Sequence, residues 1–111
     1  MSTATTPIEA EQSDQELALL AKALGHPARV QILRLLLARD ACFCGELVDE
    51  LPLAQATVSQ HLKVLTDTGL IAVKSEGTRS CYCASRDRLA ELHELLGGLL
   101  ADAVGSDGHG C

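Results

Sequence analysis

Between Gly45 and Ser85 the spacing of apolar residues changes from helical to alternating, and this change limits the possible folds more than any other feature of the chain. "GELVDEL" reads as a short amphipathic helix broken at Pro52. "QATVSQHLKVLTDTG" reads as a longer one, with Val58, Leu62 and Leu65 inward and Gly69 as its stop. "LIAVKS" and "RSCYCAS" then read as two strands joined across "EGT", where Gly77 makes the tight turn.

The flanks are helical. "SDQELALLAKAL" opens with Ser13 and carries Glu16 three residues on, the pattern of a capping box, and Leu17, Leu20 and Leu24 line one face. Gly25 ends this helix, and Pro27 suits the first turn of "PARVQILRLLLARD", where Val30, Leu33, Leu36 and Leu37 form an apolar stripe. "RDRLAELHELLGGLLADAV" is a final Leu-rich helix. The order helix, helix, helix, helix, strand, strand, helix predicts a mainly α domain with a small β-hairpin, arranged as a winged helix-turn-helix over residues 13–104. Residues 1–12 and 105–111 are expected to be loose tails.

With one Phe, one Tyr and no Trp in 111 residues, the core must come from Leu, Ala, Val and Ile. A core that small gains stability by burying further surface in a dimer, so a homodimer is expected. No stretch approaches the roughly 20 apolar residues that span a bilayer, and the polar, acidic start has no leader pattern. A cytoplasmic protein with no membrane association is expected. No nucleophile is paired with a base in a glycine-turn context and no phosphate-binding loop is present, which argues against an enzyme or an organic cofactor.

The formal net charge of −6 is unevenly spread. Residues 1–53 carry 4 basic and 8 acidic side chains, residues 54–88 carry 5 and 3, and residues 89–111 carry 0 and 4. The basic part is the second half of the helix-turn-helix and the hairpin, so a local patch can meet phosphate while the flanks stay acidic. Gln55, Thr57, Ser59, Gln60, His61 and Lys63 lie on the N-terminal and outward positions of the second helix, with no acid before Asp67. Such groups can reach base edges and phosphates in a major groove. Lys74 and Arg79 flank the hairpin turn, where a wing meets the DNA backbone or minor groove. As a merely solvated face, this helix would normally mix in acids.

"LGHPARVQILRLL", "ELVDELPLAQATVSQHLKVLTDTGLI" and "KSEGTRSCYCAS" together resemble the ArsR/SmtB family of bacterial metal-sensing transcriptional repressors, over about residues 17 to 100. The resemblance implies a homodimer joined through its first and last helices, bound to an inverted-repeat operator when ligand-free and released by an inducer. It carries over Gln55 to Lys63 as the contact helix and Lys74 to Arg79 as the wing. Ala54 departs from the family, which usually has a capping Ser there. The family's C-V-C-x-x-C run would fall on Phe43, Gly45 and Val48, one residue out of register with the cysteines present. Its zinc site on the last helix is incomplete, because His93 has Val104 where a second His would stand. His93 is read as a surface or interface residue, His26 as part of a helix start, and His109 as part of the tail.

The cysteines remain. In a winged helix, a short extended segment before the helix-turn-helix pairs with the second wing strand, and here those segments are "ACFC" and "CYCA". Side chains two apart on a strand share a face, so Cys42, Cys44, Cys81 and Cys83 can present their sulfurs to one site while Phe43 and Tyr82 turn the other way. Trivalent arsenic or antimony takes three thiolates, and a soft divalent ion such as zinc, cadmium or lead takes three or four. The predicted inducer is As(III) or Sb(III), with another soft metal as the alternative. Thiol oxidation or persulfide sensing is a second reading, and four small buried residues with no ligand a third. Cys111 is a possible fifth thiol.

Overall fold

The computed structural model describes residues 7–39, 42–44 and 47–102. In chain order the elements are α1 (Pro7–Ala23), α2 (Pro27–Leu37), β1 (Phe43–Cys44), a single 3₁₀ turn (Leu47–Glu50), α3 (Gln55–Asp67), β2 (Ile71–Glu76), β3 (Arg79–Ala84) and α4 (Arg86–Asp102).

Helix α1 starts six residues earlier than the capping-box pattern suggests. Pro7 suits a first helical turn, and Glu9, Ala10, Glu11 and Gln12 are all good helix formers, so Ser13 and Glu16 lie inside the helix. The expected boundary of the folded domain at residue 13 is therefore too late. Its expected end at residue 104 lies outside the described residues. Helix α2 begins at Pro27 behind His26, which is extended (φ −141°) and accepts the Ala28 N–H on its Nδ1 at 3.1 Å. The buried face of α2 is Ala28, Ile32, Leu33 and Leu36; Val30 and Leu37, placed in the stripe from spacing, are half-buried. Within the segment read as a short helix, Leu47–Glu50 form one 3₁₀ turn instead, because Pro52 follows before a second turn can close.

The core is aliphatic. Leu20 and Ala23 of α1, Ile32, Leu33 and Leu36 of α2, Leu47 of the 3₁₀ turn, Val58, Leu62 and Leu65 of α3, Leu70 just before β2, Ile71 of β2, and Leu92 of α4 make one cluster. Phe43 and Tyr82 pack against its margin. The three strands form an antiparallel sheet in the order β1-β3-β2. Phe43 stands opposite Tyr82, and Cys44 opposite Cys81. Across the hairpin, Ile71 stands opposite Ala84 and Lys74 opposite Cys81. Strand alternation gives the sheet two unlike faces: Phe43, Ile71, Tyr82 and Ala84 meet the core, and Cys44, Lys74, Arg79, Cys81 and Cys83 occupy the other.

Arg88 fixes the last helix. Its Nε donates to the Thr68 carbonyl at 2.8 Å, and its guanidinium pairs with Glu16 of α1 and with Glu91 at 2.9 Å. Those carboxylates, Glu91 first and then Glu16, outweigh partial burial and hold the group more firmly protonated than a free arginine. Beyond this tie α4 leaves Leu96, Leu99 and Leu100 exposed. Among the described residues, no helix is long and apolar enough to cross a membrane.

Candidate nucleic-acid interface and thiol site

Helix α3 is amphipathic because Val58, His61, Leu62 and Leu65 recur at spacings of three and four, and those four are its buried residues. Its other side carries Gln55, Ser59, Gln60 and Lys63, all exposed, with Thr57 half-buried at the border. Lys63 is paired with Asp67 one turn on, Nζ to Oδ2 at 3.2 Å, in an exposed contact worth little against a phosphate. The helix begins at Ala54 without any side-chain cap, so its first-turn N–H groups are left for solvent or for an anion.

His61 is a correction. Grouped from sequence with the DNA-facing residues, it is only 7% exposed and turns inward. Its ring lies 4.4 Å from that of His26, and its Nδ1 accepts from Arg29 Nη1 at 3.2 Å. The same arginine donates to the carbonyls of Ala23 at 2.6 Å and Lys22 at 3.3 Å. Arg29 and His26 therefore anchor the middle of α3 to the α1–α2 corner. Burial first, then the charges of His26 and Arg29, lower the His61 pKa, and the ring stays neutral.

Lys74 and Arg79 are both exposed on the hairpin, on either side of the turn at Gly77, whose φ of +66° suits glycine. Arg79 is not a free surface cation. Its Nη2 donates to the Cys44 carbonyl at 2.6 Å, an attachment between the wing and β1 that residue types alone do not suggest.

All four strand cysteines meet on one face. Cys42 is joined to Cys83 and Cys44 to Cys81 as disulfides, with Cα–Cα distances of 4.5 and 4.1 Å. Such short separations belong to the closely spaced, non-hydrogen-bonded pairs of an antiparallel ladder. Cys81 is buried and the other three are half-buried. Among the described residues, no set of three or more His, Cys, Asp or Glu side chains stands ready to hold a metal ion. Next to this site, Arg39 lies over the Phe43 ring at 4.4 Å and reaches Glu50 at 3.5 Å, tying the end of α2 to β1 and the 3₁₀ turn. Cys111 and His109 lie outside the described residues.

A helix-turn-helix domain model matches residues 24–74. The chain is 37% identical over 92 residues to the transcriptional regulator CmtR of Mycobacterium tuberculosis, covering 82% of this chain and 77% of that one. This is a member of the ArsR family of transcriptional regulators. Another relative is the arsenical resistance operon repressor of Staphylococcus xylosus, 29% identical over 99 residues with 89% of each chain covered. Among solved structures, the homodimeric winged helix-turn-helix domain of Mb0332 from Mycobacterium bovis, a possible ArsR-family regulator, matches with a TM-score of 0.65 at 27% identity over 99% of both chains. ArsR membership makes this chain a DNA-binding transcriptional regulator. The family is one of regulators and not of enzymes.

Proposed function

We propose that the protein is a homodimeric repressor that binds an inverted-repeat operator and leaves it when As(III) or Sb(III) takes the thiolates of Cys42, Cys44, Cys81 and Cys83. The observation that carries this reading is the register of β1 against β3, which sets Cys44 opposite Cys81 and brings Cys42 to 4.5 Å from Cys83 between Cα atoms. Cysteines two apart on a strand lie about 7 Å apart. Once reduced, the four sulfurs thus border a patch that their side chains can close around one soft ion, and thiolates alone suit an ion of that class. The similarity to an arsenical resistance operon repressor supports the metalloid. The relation to CmtR, whose solved structure is described as a cadmium metal-sensor, supports a soft divalent ion as the alternative. Exposed Leu19, Leu96, Leu99 and Leu100 and the homodimeric Mb0332 domain support the dimer.

The test uses reduced, metal-free protein and a fluorescent fragment of its own promoter. Arsenite is expected to release the protein, and single Cys→Ser changes at 42, 44, 81 or 83 to leave DNA binding intact while blunting release, at three positions at least. An unchanged arsenite midpoint in the double variant Cys81→Ser/Cys83→Ser would rule out this site. The two disulfides favour one further reading, in which closing the S–S bonds is itself the signal. Release by peroxide in metal-free protein, with no response to arsenite, selects that reading.

A further inference from the structure

We propose that Arg79 relays the state of the cysteine site to the DNA: when the cysteines link β1 to β3, the Cys44 carbonyl holds the Arg79 guanidinium, and when they are unlinked the guanidinium turns to a phosphate. The inference rests on the reading above that linking these cysteines weakens operator binding.

Arg79 precedes Cys81 by two residues on β3 and so shares its face, and it donates to the Cys44 carbonyl at 2.6 Å across 35 residues of chain. That carbonyl is available for a reason. In a closely spaced antiparallel pair the N–H and C=O groups of both residues point away from the partner strand, so Cys44 offers its oxygen outside the ladder with Cys81. One side chain is thereby bound to the backbone of the residue whose sulfur is in the site.

Relative strengths decide which way the arginine goes. Both bonds use an ionised donor, but a phosphate carries a charge of its own and can take two guanidinium N–H groups at once, so it is the stronger partner. The carbonyl competes only if it is held still. β1 is two residues long, far below the usual five or six of a strand, and among the described residues its ladder rests on the Phe43–Tyr82 and Cys44–Cys81 pairs. Cross-links on both sides of Phe43 fix the Cys44 carbonyl at the arginine. Without them the short edge strand frays, and the guanidinium is free for the stronger partner.

The experiment compares salt dependence of binding to the promoter fragment for the full chain, wild type and Arg79→Gln. Each protein is taken reduced with a phosphine and oxidised with diamide. In the oxidation, each pair of thiols gives up two protons and two electrons to the azo group, which becomes a hydrazine as the S–S bond forms. Each phosphate contact contributes about 0.9 to the slope of log affinity against log salt, so two wings contribute about 1.8. The reduced wild type is expected to show a slope steeper by about that amount than the oxidised wild type, and Arg79→Gln to flatten the reduced slope alone. Guanidinium NMR of the free wild-type protein gives a measurement that needs no variant: the Arg79 signal is expected to show hindered rotation when oxidised and free rotation when reduced. Equal flattening in both states, or in neither, overturns the relay, as does a guanidinium equally mobile in both. If oxidised and reduced wild type bind with the same affinity, the thiol reading falls and takes the relay with it. If they differ and Arg79→Gln keeps the whole difference, only the relay falls.

Discussion

His61 shows how one polar residue on α3 can serve the fold instead of a ligand. It follows Val58 by three positions and precedes Leu65 by four, which puts it on the buried stripe of α3, where it meets Arg29 and His26. Because burial, His26 and Arg29 all oppose its charge, its pKa is below the ordinary imidazole value of about 6.5. The unfolded chain therefore takes up this proton at a higher pH than the folded one does. The stability tied to the neutral ring is complete above about pH 6.5 and is lost as the pH falls from there through the lower folded value. Urea midpoints measured near neutral pH and about one unit below the imidazole value are expected to fall with acid in wild type, and to fall less in His61→Gln. A drop of equal size in the variant would show that the ring is not responsible. The inward position of His61 was legible from its spacing, but its polar chemistry suggested the opposite face. What keeps it inside is Arg29, 32 positions away, and a pattern of neighbours along the chain does not contain that partner. The strand cysteines were easier to place, since alternation alone puts each pair on one face. Their pairing by register needed the sheet.

The elements are held at angles by a few long side chains. Arg88 joins α4 to α1 through Glu16 and to the end of α3 through the Thr68 carbonyl. Gly69 makes the approach possible: its φ is +82°, and a Cβ there would stand 3.3 Å from Arg88 Nε. Arg88→Ala is expected to cost about 1–2 kcal/mol in urea unfolding, reduced from the full worth of charged hydrogen bonds because part of the group is wet. The loss should be smaller in Arg88→Lys, which keeps the charge and one donor. An Arg88→Ala midpoint equal to wild type would mean that the three contacts contribute nothing together. The helices α2, α3 and α4 and the β2–β3 hairpin were legible from period and punctuation. Two boundaries were not. At the N-terminus the capping-box letters occur within a run of helix formers, and before Pro52 four residues suffice for one 3₁₀ turn but not for a helix. β1, at two residues, is too short for any periodicity, and only its place in the winged-helix plan pointed to it.

For the whole molecule, the functional proposal reduces to a coupling between two ligands that bind close together. Typical allosteric couplings are about 1–3 kcal/mol, and each 1.4 kcal/mol is about tenfold in affinity. Linkage requires the effect to be mutual, so operator DNA is expected to weaken arsenite binding to the reduced dimer by the same factor by which arsenite weakens DNA binding. Paired titrations, arsenite into protein with and without the fragment and DNA into protein with and without arsenite, should close to one number. Two unequal factors would mean that the ion acts elsewhere or that the dimer dissociates. The acidic flanks bear on the same experiment, because only residues 54–88 carry more base than acid. Added salt should weaken the complex in proportion to the contacts of that short segment, whatever the overall charge.

The cysteines stand on either side of α3 in the chain, 41 and 37 positions apart, with all of that helix between them. Any bond that joins them, whether sulfur to sulfur or through an ion, closes the segment from residue 42 to residue 83 into a ring. In the chain-entropy view a ring of that size disfavours the unfolded chain by about 4 kcal/mol. The second link, nested inside the first, adds much less. Linking the cysteines therefore leaves α3, which the ring encloses, harder to melt. Derepression on this plan leaves the regulator off its operator yet better protected against heat and proteases than the same DNA-free protein with its cysteines unlinked.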